Sequence, residues 1–207
     1  MSHTTEIMAP QIEVFAGVDD TLTGRERFPD GFRYTPELIS QEDEVELLAR
    51  ISELPFREFE FHGYVAQRRV ASFGWQYDFS ARQVRAAEEI PDFLLELRNT
   101  AAQFANREPS DLQHVLVTEY GAGAGIGWHR DKAVFGDVVG ISLLSPCVFR
   151  LRRSVGHRRW ERVSLIAEPR SAYMLSGDVR DNWEHSIPSV SATRYSVTFR
   201  NLRTGES

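Results

Sequence analysis

Two periods of apolar residues divide the chain. Leu47, Leu48, Ile51 and Leu54 recur at helical spacing behind Ser40 and Asp43, which have the separation of a capping box. A helix is expected there, ended by Pro55. Leu94, Leu97, Ala101, Phe104 and Ala105 form a second stripe, in a helix from about Pro91 to Asn106. Between the two, from Phe59 to Phe79, the period drops to two: Ala71, Phe73, Trp75, Tyr77 and Phe79 alternate with Val70, Ser72, Gly74, Gln76 and Asp78. After Gln113 come strand-length runs separated by turns, at 114–120, 138–144, 147–153, 160–166, 171–176 and 193–201. Val14 to Val18 reads as one more short strand, and residues 1–12 as a flexible lead-in. No repeat or linker divides residues 13–207, so one α+β domain is expected, with helices backing a sandwich or barrel.

Composition narrows this only slightly. At 207 residues, with 42% hydrophobic and 26% charged residues, the chain suits one soluble globular domain with a substantial core. No apolar run approaches a membrane span, and the first residues show no basic and apolar leader. The single cysteine, Cys147, cannot form an internal disulfide and reads as a small buried hydrophobe. A cytoplasmic monomer without a membrane partner is the expectation.

Charge changes the picture more. The net value of −6 speaks against a general polyanion binder, yet seven arginines against two glutamates between Arg150 and Arg170 give +5 locally and leave −11 elsewhere. That hairpin, with Arg150 and Arg152 on its first strand, reads either as solvated surface or as a ridge facing phosphates. The aromatic strand has the same two readings. Phe73, Trp75 and Tyr77 are either core or a platform on which a nucleobase stacks, with Arg68 and Arg69 upstream to meet a phosphate.

Candidate chemistry centres on Tyr120 to Asp131, YGAGAGIGWHRD. The glycines allow tight turning and close approach by a ligand. In extended chain, His129 and Asp131 leave one face, and with a third ligand from elsewhere they supply the facial triad of non-haem Fe(II) oxygenases. His185, far away in sequence within NWEHSIP, has the most telling surroundings of the remaining histidines. The last strand places Arg194, Ser196, Thr198 and Arg200 on one face and Tyr195, Val197 and Phe199 on the other. Two arginines on a strand bound for the core call for anions, either acidic side chains or a bound dicarboxylate.

The run Tyr120 to Asp131, Trp183-x-His185-x-Ile187-Pro188 and the Arg194/Arg200 pair together resemble the AlkB family of Fe(II)- and 2-oxoglutarate-dependent dioxygenases, over about residues 60–203. The resemblance implies a double-stranded β-helix (jelly-roll) core at about 112–203, backed by the two helices, and a nucleotide-recognition β lid at about 57–80. It implies Fe(II) on His129, Asp131 and His185, with O2 as oxidant. Arg194 is implied to bind the distal carboxylate of 2-oxoglutarate, and Arg200 to steady the other carboxylate or the iron ligands. Tyr120, Thr118 and Ser196 are implied at the co-substrate. The implied reaction is hydroxylation, and on N-methyl groups demethylation, of an alkylated base in single-stranded DNA or RNA. Thr118 and Ser196 stand where repair enzymes of the family carry Asn, and Ala133 where they carry an acid that faces the damaged base. The following run, FGDVVGISLLSPCVFRLRR, looks closer to relatives that modify tRNA wobble uridine or whose substrate is unsettled. A protein or small-molecule substrate, or a non-catalytic binding module, are the competing readings.

Overall fold

The computed structural model describes residues 28–61, 64–78, 83–86 and 88–203. The expectations for residues 1–12 and for Val14 to Val18 lie outside the described residues. In chain order the first elements are β1 (Phe32–Thr35), α1 (Gln41–Ile51), β2 (Arg57–Phe61), β3 (Tyr64–Asp78), β4 (Gln83–Ala86), α2 (Leu95–Ala105) and β5 (His114–Tyr120). There follow β6 (Ile126–His129), β7 (Phe135–Leu143), β8 (Cys147–Ser154), β9 (Trp160–Ala167), β10 (Ala172–Leu175), α3 (Gly177–Asn182), β11 (Glu184–Ile187) and β12 (Arg194–Leu202).

Both helices begin and end for local reasons. Ser40 and Asp43 form the reciprocal capping box at the start of α1, satisfying two backbone donors that the helix itself leaves free. A single 3-10 turn, Asp92–Leu94, leads into α2, and Asn106 closes it in the left-handed region at φ 56°.

The strands build two antiparallel sheets. The larger has the order β1-β10-β7-β12-β5-β3-β2 with β4 beside β3, and the smaller has the order β6-β11-β8-β9. Alternation divides the large sheet into two unlike faces. Val115, Val117, Ile141, Val197 and Phe199 pack against α1 and α2 in one core. The opposite face turns His114, Thr118, Tyr120, Ser196 and the two arginines of β12 toward a second core shared with the small sheet. A strand whose polar set is buried along with its apolar set marks the place where a protein trades stability for a site. This is the expected α+β jelly roll, with the two helices on the outer face of its larger sheet.

Five elements went unexpected: β1, β4, β6, β11 and α3. The strands are four residues each, too short to display a period, and are placed by register with their neighbours: β1 with β10, β4 with β3, β6 with β11, and β11 with β8. The helix, GDVRDN, buries only Val179 and Arg180 and has no apolar stripe to read.

Candidate active site

Strand pairing delivers the candidate residues. In register across the large sheet, Tyr120 stands between Arg68 on β3 and Arg194 on β12, and Thr118 between Val70 and Ser196. In the small sheet His185 pairs directly with His129. The next pair is Ile187 with Ile126, so β6 spends one residue more than β11 over the same span, a β-bulge. The bulge lets both Ile126 and His129 turn inward while Trp128, between them, meets the outward arginines of β8.

His129, Asp131 and His185 thereby converge. The two imidazole rings lie 4.2 Å apart between centroids, and His185 Nε2 is 3.7 Å from Asp131 Oδ2. His129 Nδ1 bonds the Gly127 carbonyl at 2.9 Å, which assigns the proton to Nδ1 and leaves a lone pair on Nε2. Asp131 Oδ1 accepts two bonds from Arg200, from Nε at 3.1 Å and Nη2 at 2.7 Å. Its other oxygen, Oδ2, is buried without any hydrogen-bond partner. Among the described residues no three such side chains are already drawn into a closed metal cage.

The charges in this pocket are matched unevenly. Burial alone raises the Asp131 pKa, but Arg200, His185, His129 and Arg180 outweigh it and hold the carboxyl well below its usual range. His185 is buried and its pKa is pushed down to about 3 by that burial, so it is neutral at physiological pH. Arg180, on α3, donates to the carbonyls of Lys132, Phe135 and Gly136, each at 2.7 Å, and ties down the turn that follows Asp131. Nothing in a single arginine of a polar hexapeptide signals that clamp in sequence.

Arg194 is only 1% exposed. Its Nη2 donates to Ser142 Oγ at 2.9 Å and its guanidinium lies 4.8 Å over the Tyr120 ring, yet Nε and Nη1 are buried without partners. Cys147 and Tyr173, members of the second core with Phe149, lie within reach of its charge. Ser142 was not anticipated; it becomes visible only through the register that sets Ser196 opposite it.

The lid residues separate. Phe73 is 4% exposed and packs in the core with Val115 and Val117, so its ring is closed to a ligand, against the platform reading. Arg69 likewise is committed elsewhere: it makes two 2.9 Å bonds to Glu119 on the helix-facing side. The cause is parity, since Arg69, Ala71 and Phe73 share the face that looks at the helices. Arg68, on the other parity, stands beside Tyr120, and burial lowers its pKa. Trp75 is 41% exposed, beyond Gly74, where a φ of +80° lets β3 leave β5 and pair with β4. The side chain of Tyr77 lies outside the described residues. Arg150 and Arg152 stand on the outward side of the small sheet, away from the two inward histidines.

The sequence matches the 2OG-Fe(II) oxygenase superfamily over residues 31–203. It is 28% identical over 208 aligned residues to the "Alkylated DNA repair protein ALKBH8 homolog" of Arabidopsis thaliana, covering 84% of this chain and 58% of that protein. It is 25% identical to the mouse "tRNA (carboxymethyluridine(34)-5-O)-methyltransferase ALKBH8", covering 79% of this chain but a quarter (25%) of that protein. The chain thus spans well under two thirds of these two relatives. In structure it resembles OsALKBH1 at a TM-score of 0.66 and 17% identity, over 85% of this chain and 99% of that one. With two antiparallel sheets in the same arrangement and the match spanning nearly all described residues, the chain belongs to the 2OG-Fe(II) oxygenase superfamily, as an AlkB-like member.

Proposed function

We propose that the protein hydroxylates a substituent on a nucleobase in RNA, with tRNA as the substrate class. His129 Nε2, Asp131 Oδ2 and His185 Nε2 would hold Fe(II), and Arg194 the distal carboxylate of 2-oxoglutarate. The observation that carries this is a pair of complementary deficits in one pocket. An acceptor oxygen on Asp131 and two donor nitrogens on Arg194 are each buried with nothing to bond. Unpaired buried groups of opposite sign cost stability and are relieved by a cation at one end and an anion at the other.

When bound, the metal and keto acid supply O2 activation coupled to decarboxylation, giving succinate, CO2 and a hydroxylated substrate carbon. The chain's own residues do the rest. Arg200 fixes the Asp131 carboxylate through Oδ1 and leaves Oδ2 turned to the ligand side. The Gly127 carbonyl fixes the His129 ring. Ser142 and Tyr120 hold the Arg194 guanidinium from the edge and the face. Thr118 and Ser196, next to them in register, would line the co-substrate. Phe149, stacked 5.6 Å from His185, keeps water from that side.

RNA is favoured because the mouse relative is named for a tRNA uridine and the match covers this domain. The name of the Arabidopsis relative speaks of alkylated DNA, so the test carries both nucleic acids. Purified protein, Fe(II) and 2-oxoglutarate are incubated with total tRNA and with DNA and RNA oligonucleotides bearing 1-methyladenine or 3-methylcytosine, and nucleosides are read by mass spectrometry. The expected result is succinate formation with gain of oxygen on a tRNA nucleoside, absent in His129→Ala. Loss of methyl groups from the oligonucleotides alone would move the substrate to alkylated bases. Succinate no higher than in His129→Ala would overturn the iron assignment.

A further inference from the structure

The outward side of the small sheet carries a ladder of arginine and tryptophan that the oxidation site does not use. Arg152 lies between two indoles, 4.4 Å from the Trp128 ring and 4.1 Å from Trp160, and Arg150 lies 4.9 Å from Trp128. Each arginine is anchored from the strand behind it: Arg150 by Ser186 Oγ at 3.1 Å, and Arg152 by Glu184 at 2.6 Å. Register then sets Arg162 directly opposite Arg152. Like charges directly opposed across antiparallel strands are destabilising, and Glu184 answers only one of them.

Among the described residues neither Arg150 nor Arg162 has a carboxylate partner, nor do Arg158 and Arg159 in the exposed turn that joins the two strands. Cations without acids, ordered beside half-buried aromatic planes, match a chain of phosphates with bases between them. An acidic peptide would meet the charges but leave the indole planes unexplained.

The position of the ladder gives it a purpose. Glu184 and Ser186 point out to these arginines, while His185 between them points into the jelly roll, so ladder and oxidation site stand on opposite sides of one strand. β6 is the edge of that sheet. There Trp128 belongs to the outside and His129 to the inside. We infer that the Trp128–Arg150–Arg152–Trp160 face docks single-stranded RNA flanking the target nucleotide, the strand turning over the β6 edge to bring that nucleotide to His129 and His185. This rests on the RNA reading proposed above, and adds to it a docking face outside the barrel.

Two variants test it in the full chain: Trp160→Ala, at a half-buried position outside the core, and Arg158→Gln combined with Arg162→Gln, at exposed ones. Binding of fluorescein-labelled oligo(U) of about 16 nucleotides, the upper range one such platform covers, is followed by anisotropy across a salt series. Succinate formation from 2-oxoglutarate without nucleic acid is measured beside it. Trp160→Ala should bind roughly tenfold more weakly. The double variant should lower the steepness of log K against log salt by about 1.4, two single-strand phosphate contacts. Succinate formation should stay at the wild-type rate in both. Unchanged oligo(U) affinity and salt slope in both variants would overturn the docking face. Binding of an acidic polyglutamate peptide as tight as that of oligo(U) would overturn the assignment to RNA. No succinate from the wild type would count against the iron chemistry alone, and the anisotropy would still decide the docking face.

Discussion

Arg200 spends two of its donors, Nε and Nη2, on the same oxygen of Asp131, Oδ1, and none on Oδ2. A carboxylate so held is ionised and aimed, with one oxygen satisfied and one reserved. Arg200→Lys keeps the charge but not the two-pronged grip. Affinity for Mn(II), used as a redox-stable probe and read by calorimetry, should fall by about 10- to 100-fold, as for other residues that orient a metal ligand. Unaltered Mn(II) affinity would remove Arg200 as the residue that aims Asp131.

Arg194 offers a trade between stability and binding. Its buried, half-partnered guanidinium is a liability until an anion arrives. Arg194→Met should therefore leave the melting temperature of the ligand-free protein unchanged or raised. The stabilisation by 2-oxoglutarate, about 2.7 kcal/mol at a hundredfold excess over Kd, should vanish. Thermal shift with and without the keto acid separates this from a plain packing role, in which the free protein would lose stability instead.

His114 predicts an acid-labile fold. Its Nδ1 faces Arg200 Nη1 at 3.4 Å and its Nε2 faces Ser72 Oγ at 3.2 Å, an arrangement that suits the Nε2–H tautomer. Burial, reinforced by the Arg200 charge, pushes its pKa down to about 3. Between that value and about 6.5, the ordinary histidine value, the unfolded chain binds a proton that the folded one refuses. Stability therefore rises with pH through this window and is flat above it, and His114 contributes up to about 1.4 kcal/mol per pH unit. Urea denaturation at pH 7 and pH 5 should show a smaller loss in His114→Gln than in wild type. Equal losses would mean that the ring is protonated within the fold.

Phe73 and Trp75, two residues apart, should part company. Phe73→Ala removes a core ring and should cost about 3–5 kcal/mol. Trp75→Ala, at a 41% exposed side chain, should stay within about 0.5 kcal/mol, as surface changes do. Chemical denaturation of the two variants distinguishes them.

That pair also shows how far the sequence reaches. Period two correctly predicted a strand from Val70 onward, and the parity of β12 separated Arg194 and Arg200 from Val197 and Phe199. Parity tells which residues share a face but not what the face meets. From sequence, therefore, Phe73 reads either as core or as stacking platform and Arg69 as a phosphate contact, whereas α1, α2 and Glu119 occupy their side. The convergence of His129 with His185 depends on the bulge in β6, which no local composition announces beyond Gly127. Ser142 and Arg180 act through register and a distant turn, and their partners lie 52 and 44 to 48 residues away along the chain.

The extra residue in β6 has an evolutionary side. No exchange of one amino acid for another can remove that extra residue. Deleting a single codon near Gly127 would do so, restoring plain alternation in which Ile126 and the histidine still share the inner face, but without the bend and added twist that the bulge gives the strand. In this chain the reading frame of the edge strand, as much as the identity of its residues, is what inheritance must preserve.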